Sequence, residues 1–254
     1  MIFDATSYTG KPVLTDASGK PLPMLALLPQ SSLTTQALTT QAVEAAMNAH
    51  PTPSGVVLDL ELGYWLDSRL VSAGTVTQAE YDESCNEAMN RMAWARMAMN
   101  SLNFSSTALG LFCLPFVNMY SPPDYSSLIA WQAANSKLFA AMQGTVSMGA
   151  CECYLRFDPN EPDWDIRYAS FLMQVRAEWT RIAQRMPLYP VIEFITAPDG
   201  DVTGSDVGKI VPPAAMVKII QMCKMYADGA IIWSSHSAWG PDEAAVYAAI
   251  KAVL

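Results

Sequence analysis

GVVLDLE, residues 55–61, is the stretch on which the fold turns. Its valines and leucines run together without the polar alternation of a half-solvated strand, and two acids interrupt only its far end. That pattern belongs to a parallel strand covered on both faces. Comparable apolar runs occupy residues 24–28, 108–115, 150–155, 190–195 and 229–234. Segments of helical period separate them. Tyr81, Cys85, Ala88, Met92, Ala95, Met99 and Leu102 recur at steps of four and three, behind a Thr77/Glu80 capping-box pattern. Tyr168, Leu172, Val175, Trp179, Ile182 and Met186 repeat that stripe. Weaker versions cover residues 34–49, 124–143, 213–226 and 241–253, with Asp124, Pro213 and Pro241 near the first turns of the last three.

Six βα units in a row predict a parallel sheet with right-handed crossovers. Ile2–Asp4 adds a candidate first strand, and GKPVLTDASGKPLP, residues 10–23, reads as an irregular hairpin. The expected fold is therefore α/β, a TIM-like (β/α) barrel of seven or eight parallel strands, distorted at the N-terminus. The alternative, an open doubly wound sheet, lacks support from any GxGxxG or GxxxxGK[ST] phosphate loop. No repeat or linker divides the chain, so residues 1–254 are expected to form one domain, with residues 1–23 as an irregular N-terminal segment. A chain of 254 residues can bury about three-quarters of its unfolded surface without disulfide or metal staples.

Composition narrows the chemistry. Hydrophobic residues make up 51% and charged residues 15%, which excludes a disordered or collagen-like chain. A net charge of −9 is the opposite of a nucleic-acid binder's footprint and disfavours polyanionic substrates. Only His50 and His236 are present, so there is no His-rich metal site and no HExxH; no GxSxG elbow supports a Ser-His-Asp triad around His236. Cys85, Cys113, Cys151, Cys153 and Cys223 form no disulfide framework, and Cys151 and Cys153 read as apolar packing on one strand face. Neither metal nor cofactor is expected. The longest apolar runs are too short for a membrane span, and residues 1–11 have neither the basic nor the apolar region of an intact signal peptide. Neither membrane nor nucleic acid is an expected partner.

In a βα barrel reactive groups sit at the carboxyl ends of the strands, which selects Asp59, Glu61, Tyr154, Arg156, Asp158, Glu193, Trp233 and His236. Asp59 and Glu61 are two apart in an extended strand and share a face. Two carboxylates at an apolar mouth repel each other, so one pKa rises and a proton is kept for transfer to a glycosidic oxygen. The competing reading is that these acids cap the strand or bind backbone and arginine groups. Tyr64, Trp65, Tyr120, Trp239 and Asn118 fall in strand-to-helix loops, where rings can stack on sugars. Glu193 is either a second carboxylate for a two-acid mechanism or a structural hydrogen-bonding group. Trp94, Trp131 and Trp179 lie on helical stripes and read as core.

At these residues the chain resembles the hyaluronidase-type glycoside hydrolases. GVVLDLELGYW is similar to the strand carrying that family's Asp-x-Glu motif. LYPVIEFI resembles its penultimate strand, ADGAIIWSS its last strand, and GLFCLPF and CECYLRF are compatible with two middle strands. The resemblance spans residues 55–254. It implies Glu61 as proton donor, Asp59 as the acid that orients a substrate 2-acetamido group, Trp233 as an apolar wall for the sugar, and Tyr154 as a strand tyrosine at the site. The implied mechanism is substrate-assisted retention on an oligo- or polysaccharide containing N-acetylhexosamine. The chain departs from the family at Phe112, where a tyrosine is implied. It also lacks the Trp-Arg that closely follows Asp-x-Glu (Trp65 and Arg69 come later) and counterparts of the family's disulfide cysteines. These departures, with the negative charge, favour a glycan less acidic than hyaluronan. They also keep open a non-catalytic carbohydrate-binding or scaffold barrel, alongside a two-carboxylate hydrolase using Glu61 and Glu193.

Overall fold

Parallel pairing organises every strand. In a computed structural model the described residues are 1–7, 10–49, 54–60, 76–115, 117, 125–196, 208–234 and 239–254. In chain order they form β1 (Ile2–Asp4), β2 (Leu25–Pro29), α1 (Gln36–Asn48), β3 (Gly55–Asp59), α2 (Gln78–Ser101), β4 (Ala108–Phe112), α3 (Tyr125–Met142) and β5 (Met148–Ala150). There follow α4 (Trp164–Ala183), β6 (Val191–Glu193), α5 (Pro213–Tyr226), β7 (Ala230–Trp233) and α6 (Pro241–Ile250). Strands and helices alternate as the apolar periodicity requires. The chain comprises two compact units: Met1–Met24, Glu152–Arg176 and Leu188–Leu254 in the first, Leu25–Cys151 and Ala177–Pro187 in the second.

The second unit carries the four-stranded sheet β2-β3-β4-β5, with Leu25 opposite Gly55, Gly55 opposite Ala108 and Gly110 opposite Met148. Val56, Val57, Leu58, Leu109 and Leu111 are completely buried, as a strand covered on both faces must be. Each such side chain contributes about 1.5–3 kcal/mol relative to exposure. Two glycines permit the close approach. A Cβ on Gly55 would stand 2.8 Å from the Ala108 carbonyl oxygen, and one on Gly110 would meet the Met148 side chain at 3.1 Å. The α2 stripe from Tyr81 to Met99 is buried, and its first turn is closed reciprocally. The Glu80 N–H donates to Thr77 Oγ1 at 3.2 Å, and the Thr77 N–H donates to Glu80 Oε2 at 2.7 Å.

The first unit carries the three-stranded sheet β1-β7-β6, with Phe3 opposite Ile231 and Glu193 opposite Trp233. The expected first strand therefore exists. The segment after it is the irregular hairpin read from its glycines and prolines: Asp16 and Leu22 donate to Lys20 and Leu14 carbonyls. Two interactions hold this segment down. Tyr247 Oη on α6 accepts from the Thr15 N–H and donates to the Thr15 carbonyl. Lys11 Nζ meets buried Asp4 at 2.6 Å, and Asp4 also accepts from the Thr6 N–H and hydroxyl.

One strand was placed too late by its apolarity. Residues 150–155 read as a strand core, but β5 spans Met148–Ala150. Beyond it the chain stays extended and touches its neighbours through isolated parallel bridges, Glu152 to Val191 and Leu155 to Thr196. The physical reason is its alternation. Cys151, Cys153, Leu155 and Phe157 are buried while Glu152, Tyr154, Arg156 and Asp158 are half-buried, so this segment has two unlike sides. All five cysteines are buried thiols. Among the described residues no helix is long and apolar enough to cross a membrane.

Candidate functional site

In the second unit Asp59 closes β3, half-buried, with Pro29 as its register partner. Leu60 beyond it is buried, and Glu61, the implied proton donor, lies outside the described residues with Tyr64, Trp65 and Tyr120. His236 and Asn118 also lie outside them. Phe112, at the end of β4, is 2% exposed, so the position where the resemblance implies a hydroxyl holds a buried apolar ring.

The first unit brings three of the selected residues together. Glu193 ends β6, Trp233 ends β7, and the two are register partners, so their side chains leave the sheet on the same side. Tyr154, from the extended segment after β5, lays its ring against Trp233 with centroids 5.7 Å apart and planes 13° from parallel. Parallel rings in direct face-to-face contact would be separated by about 3.5–4.0 Å. Aromatic pairs favour centroid separations of about 4.5–7 Å over such a sandwich. Aromatic faces can receive the C–H groups of a sugar ring, whose hydroxyls seek charged acceptors. Glu193 itself is 5% exposed, so it is a buried acid at a strand end rather than a solvated one.

The same half-buried side of the extended segment carries more polar groups. Arg156 and Glu152 form an ion pair. Asp158 uses Oδ1 to accept from both the backbone and the side-chain amide of Asn160 at 2.9 Å, so part of its acceptor capacity stabilises a turn. Glu152 was not selected from the sequence. The signal was present in CECYLRFD, where every second residue is polar, but the segment was read as a continuous strand core.

Trp239 is half-buried. Its ring packs against Phe194 at 6.4 Å and Tyr247 at 6.2 Å. Trp179 is core as expected: completely buried, edge-on to Phe139, its indole N–H donating to the Met186 carbonyl. Among the described residues no group of three or more His, Cys, Asp or Glu could hold a metal ion.

Comparison with solved structures gives a fold likeness at low identity. Bee venom hyaluronidase superimposes with a TM-score of 0.58 at 13% identity, covering 98% of this chain and 99% of that one. An endo-β-mannanase/endo-β-glucanase from Prevotella bryantii gives 0.48 at 12% identity, covering 99% of this chain and 48% of that chain. A xylose isomerase domain protein from Alicyclobacillus acidocaldarius gives 0.33 at 9% identity, covering 89% and 95%. No family model matches the chain, and no curated protein matches it by sequence. The fold is α/β and TIM-like, an architecture that hosts many chemistries.

Proposed function

We propose that the chain is a glycoside hydrolase that cleaves a glycan containing N-acetylhexosamine, with retention and with assistance from the substrate's own acetamide. The observation that carries this reading is the stacked Tyr154–Trp233 ring pair, with Glu193 as the register partner of Trp233. Asp59 and Glu61 supply the chemistry. The acetamide oxygen attacks the anomeric carbon as the bond to the leaving oxygen breaks, and Glu61 delivers the proton to that oxygen. Asp59 accepts from the amide N–H and stabilises the positive charge of the oxazolinium-like intermediate. Water then attacks the anomeric carbon, Glu61 takes its proton, and the acetamide is released with the configuration retained. Trp233, Tyr154, Glu193 and Asp158 bind substrate in this scheme, together with Tyr64, Trp65 and Tyr120.

Glu61→Gln tests it. Product release from a panel of N-acetylated oligosaccharides, followed by mass spectrometry, is expected to vanish while glycan binding and the circular-dichroism spectrum are retained. Turnover that survives the change defeats the assignment. The buried ring of Phe112, where the resemblance implies a hydroxyl, favours a second reading: a barrel that binds glycans without cleaving them. Calorimetric binding by the wild type with no product after long incubation would select that reading.

A further inference from the structure

The two stacked rings are held by different means. Trp233 closes β7, the central strand of its sheet, paired with β1 on one side and β6 on the other. Tyr154 lies in no strand. The bridges on either side of it, Glu152–Val191 and Leu155–Thr196, are three residues apart on its own segment and five apart on the opposite one. A parallel ladder of constant register would space them equally, so regular pairing does not carry through Tyr154.

The residue before Tyr154 is held at both of its polar backbone atoms. The Cys153 N–H donates to the Val191 carbonyl at 2.8 Å, and the Cys153 carbonyl accepts from Tyr168 Oη at 2.6 Å. Cys153 and Tyr168 are completely buried, where water cannot stand in for the hydroxyl. That carbonyl shares a rigid peptide plane with the Tyr154 nitrogen, so the bond sets the plane from which the Tyr154 side chain departs. The hydroxyl comes from the first turns of α4, whose buried stripe of Trp164, Tyr168, Phe171 and Leu172 fixes the ring from behind. Phe171 packs edge-on against Tyr168 with centroids 6.5 Å apart.

We infer that Tyr168 is a positioning residue for substrate binding: its hydroxyl, through the Cys153 carbonyl, holds the Tyr154 ring in the stacked arrangement with Trp233 that receives the sugar. This rests on the carbohydrate reading proposed above and deepens it, by naming a residue that is itself inaccessible to a glycan and controls affinity through Tyr154. Binding sites built on side chains need such support, because a ring whose backbone plane is free to turn spends part of its time out of place.

The test is a double-mutant cycle read by calorimetric binding of an N-acetylhexosamine oligosaccharide to the wild type, Tyr168→Phe, Tyr154→Ala and the double variant. Tyr168→Phe is expected to weaken binding about fivefold or more while Tyr154 is present. On the Tyr154→Ala background the same change should alter affinity by less than about twofold, since the hydroxyl acts only through that ring. Placing 4-aminophenylalanine at position 168 keeps a ring and a donor, and should restore affinity to within about twofold of the wild type. A loss of equal size on both backgrounds, or no loss on either, overturns the inference while the carbohydrate reading stands. A wild type that does not bind the oligosaccharide overturns both, as does affinity that Tyr154→Ala leaves unchanged. If Tyr168→Phe fails to fold, 4-fluorophenylalanine, which fills the space of the hydroxyl with no O–H to donate, replaces it in the cycle with the same expected and refuting outcomes.

Discussion

The contact between Tyr154 and Trp233 can be measured by a double-mutant cycle. Aromatic pairs in this geometry, 5.7 Å apart and nearly parallel, contribute about 0.5–1.5 kcal/mol beyond the area they bury. Truncating a fully buried large aromatic costs about 3–5 kcal/mol, and both rings here are half-buried, so each single change to alanine is expected to cost about 2 kcal/mol. The double variant should then lose about 3 kcal/mol rather than about 4, because the ring–ring contact can be lost only once. Urea denaturation at constant slope reads these differences directly. The same variants, while folded, should each bind an N-acetylhexosamine oligosaccharide at least tenfold more weakly, since aromatic anchors dominate such contacts. Trp233→Phe, which keeps a π-face, should recover much of that loss. Stability losses that add to within about 0.3 kcal/mol would mean that the rings do not touch. Unchanged glycan affinity in a folded Trp233→Ala protein would remove this surface from the site altogether.

Gly55→Ala forces a Cβ to within 2.8 Å of the Ala108 carbonyl oxygen, which is backbone and cannot swing away. The expected cost is about 1–3 kcal/mol in the urea midpoint, and a neutral result would refute the close β3–β4 approach. Glu178→Ala removes the acceptor of buried Asn135 at 2.8 Å and of Arg181 at 2.6 Å, whose charged form it favours. With Arg181 over a third exposed, the loss should be about 2 kcal/mol rather than that of a fully buried pair, again by denaturation. Thr77→Ala opens the α2 capping box and should cost about 1 kcal/mol at pH 7. The Glu80 carboxyl is held below its ordinary value of 4.5 by the Thr77 N–H and then by the Thr77 hydroxyl. The unfolded chain therefore binds more protons in acid. This contribution is complete above pH 4.5 and fades as pH falls through the lowered folded value. A Glu80→Gln penalty as large in acid as at neutrality would contradict the assignment.

The fold was legible where one physical demand dominated. The α2 stripe shows because burial of Tyr81, Cys85, Met92 and Met99 leaves no other period, and the Thr77/Glu80 pattern marks its start chemically. β3 and β4 show because both faces are covered, so Val56 to Leu58 and Leu109 to Leu111 carry no polar residue. Apolarity misleads after β5, where cysteines and leucine satisfy a hydrophobicity count although only every second position is buried. Of the candidate residues, Tyr154, Glu193 and Trp233 are selected by their places at strand ends, and the stacking of the two rings and the register of Glu193 with Trp233 follow from pairing that sequence order alone does not encode. Trp239 shows what sequence position leaves open. A loop position fixes where a ring starts, and the Phe194 and Tyr247 rings fix where it packs.

The alternation of residues 151–158 also explains why this surface is well specified despite having so little regular pairing. A slip of one residue would turn Glu152, Tyr154, Arg156 and Asp158 inward and expose Cys151, Cys153, Leu155 and Phe157. Three of the four inverted residues carry charge, and burying a charge without its partner costs several kcal/mol for each ion. That penalty exceeds what the few bridges of this segment could impose by hydrogen bonding alone, at roughly 1 kcal/mol per bond. The buried Tyr168 hydroxyl adds a second constraint by donating to the Cys153 carbonyl at 2.6 Å, which fixes the backbone immediately before Tyr154. The orientation of Tyr154 toward Trp233 is thus enforced from the apolar side of its own segment. The Glu152–Arg156 pair follows from the same parity: two charged residues flanking Tyr154 on the half-buried side can lower their desolvation cost by meeting each other.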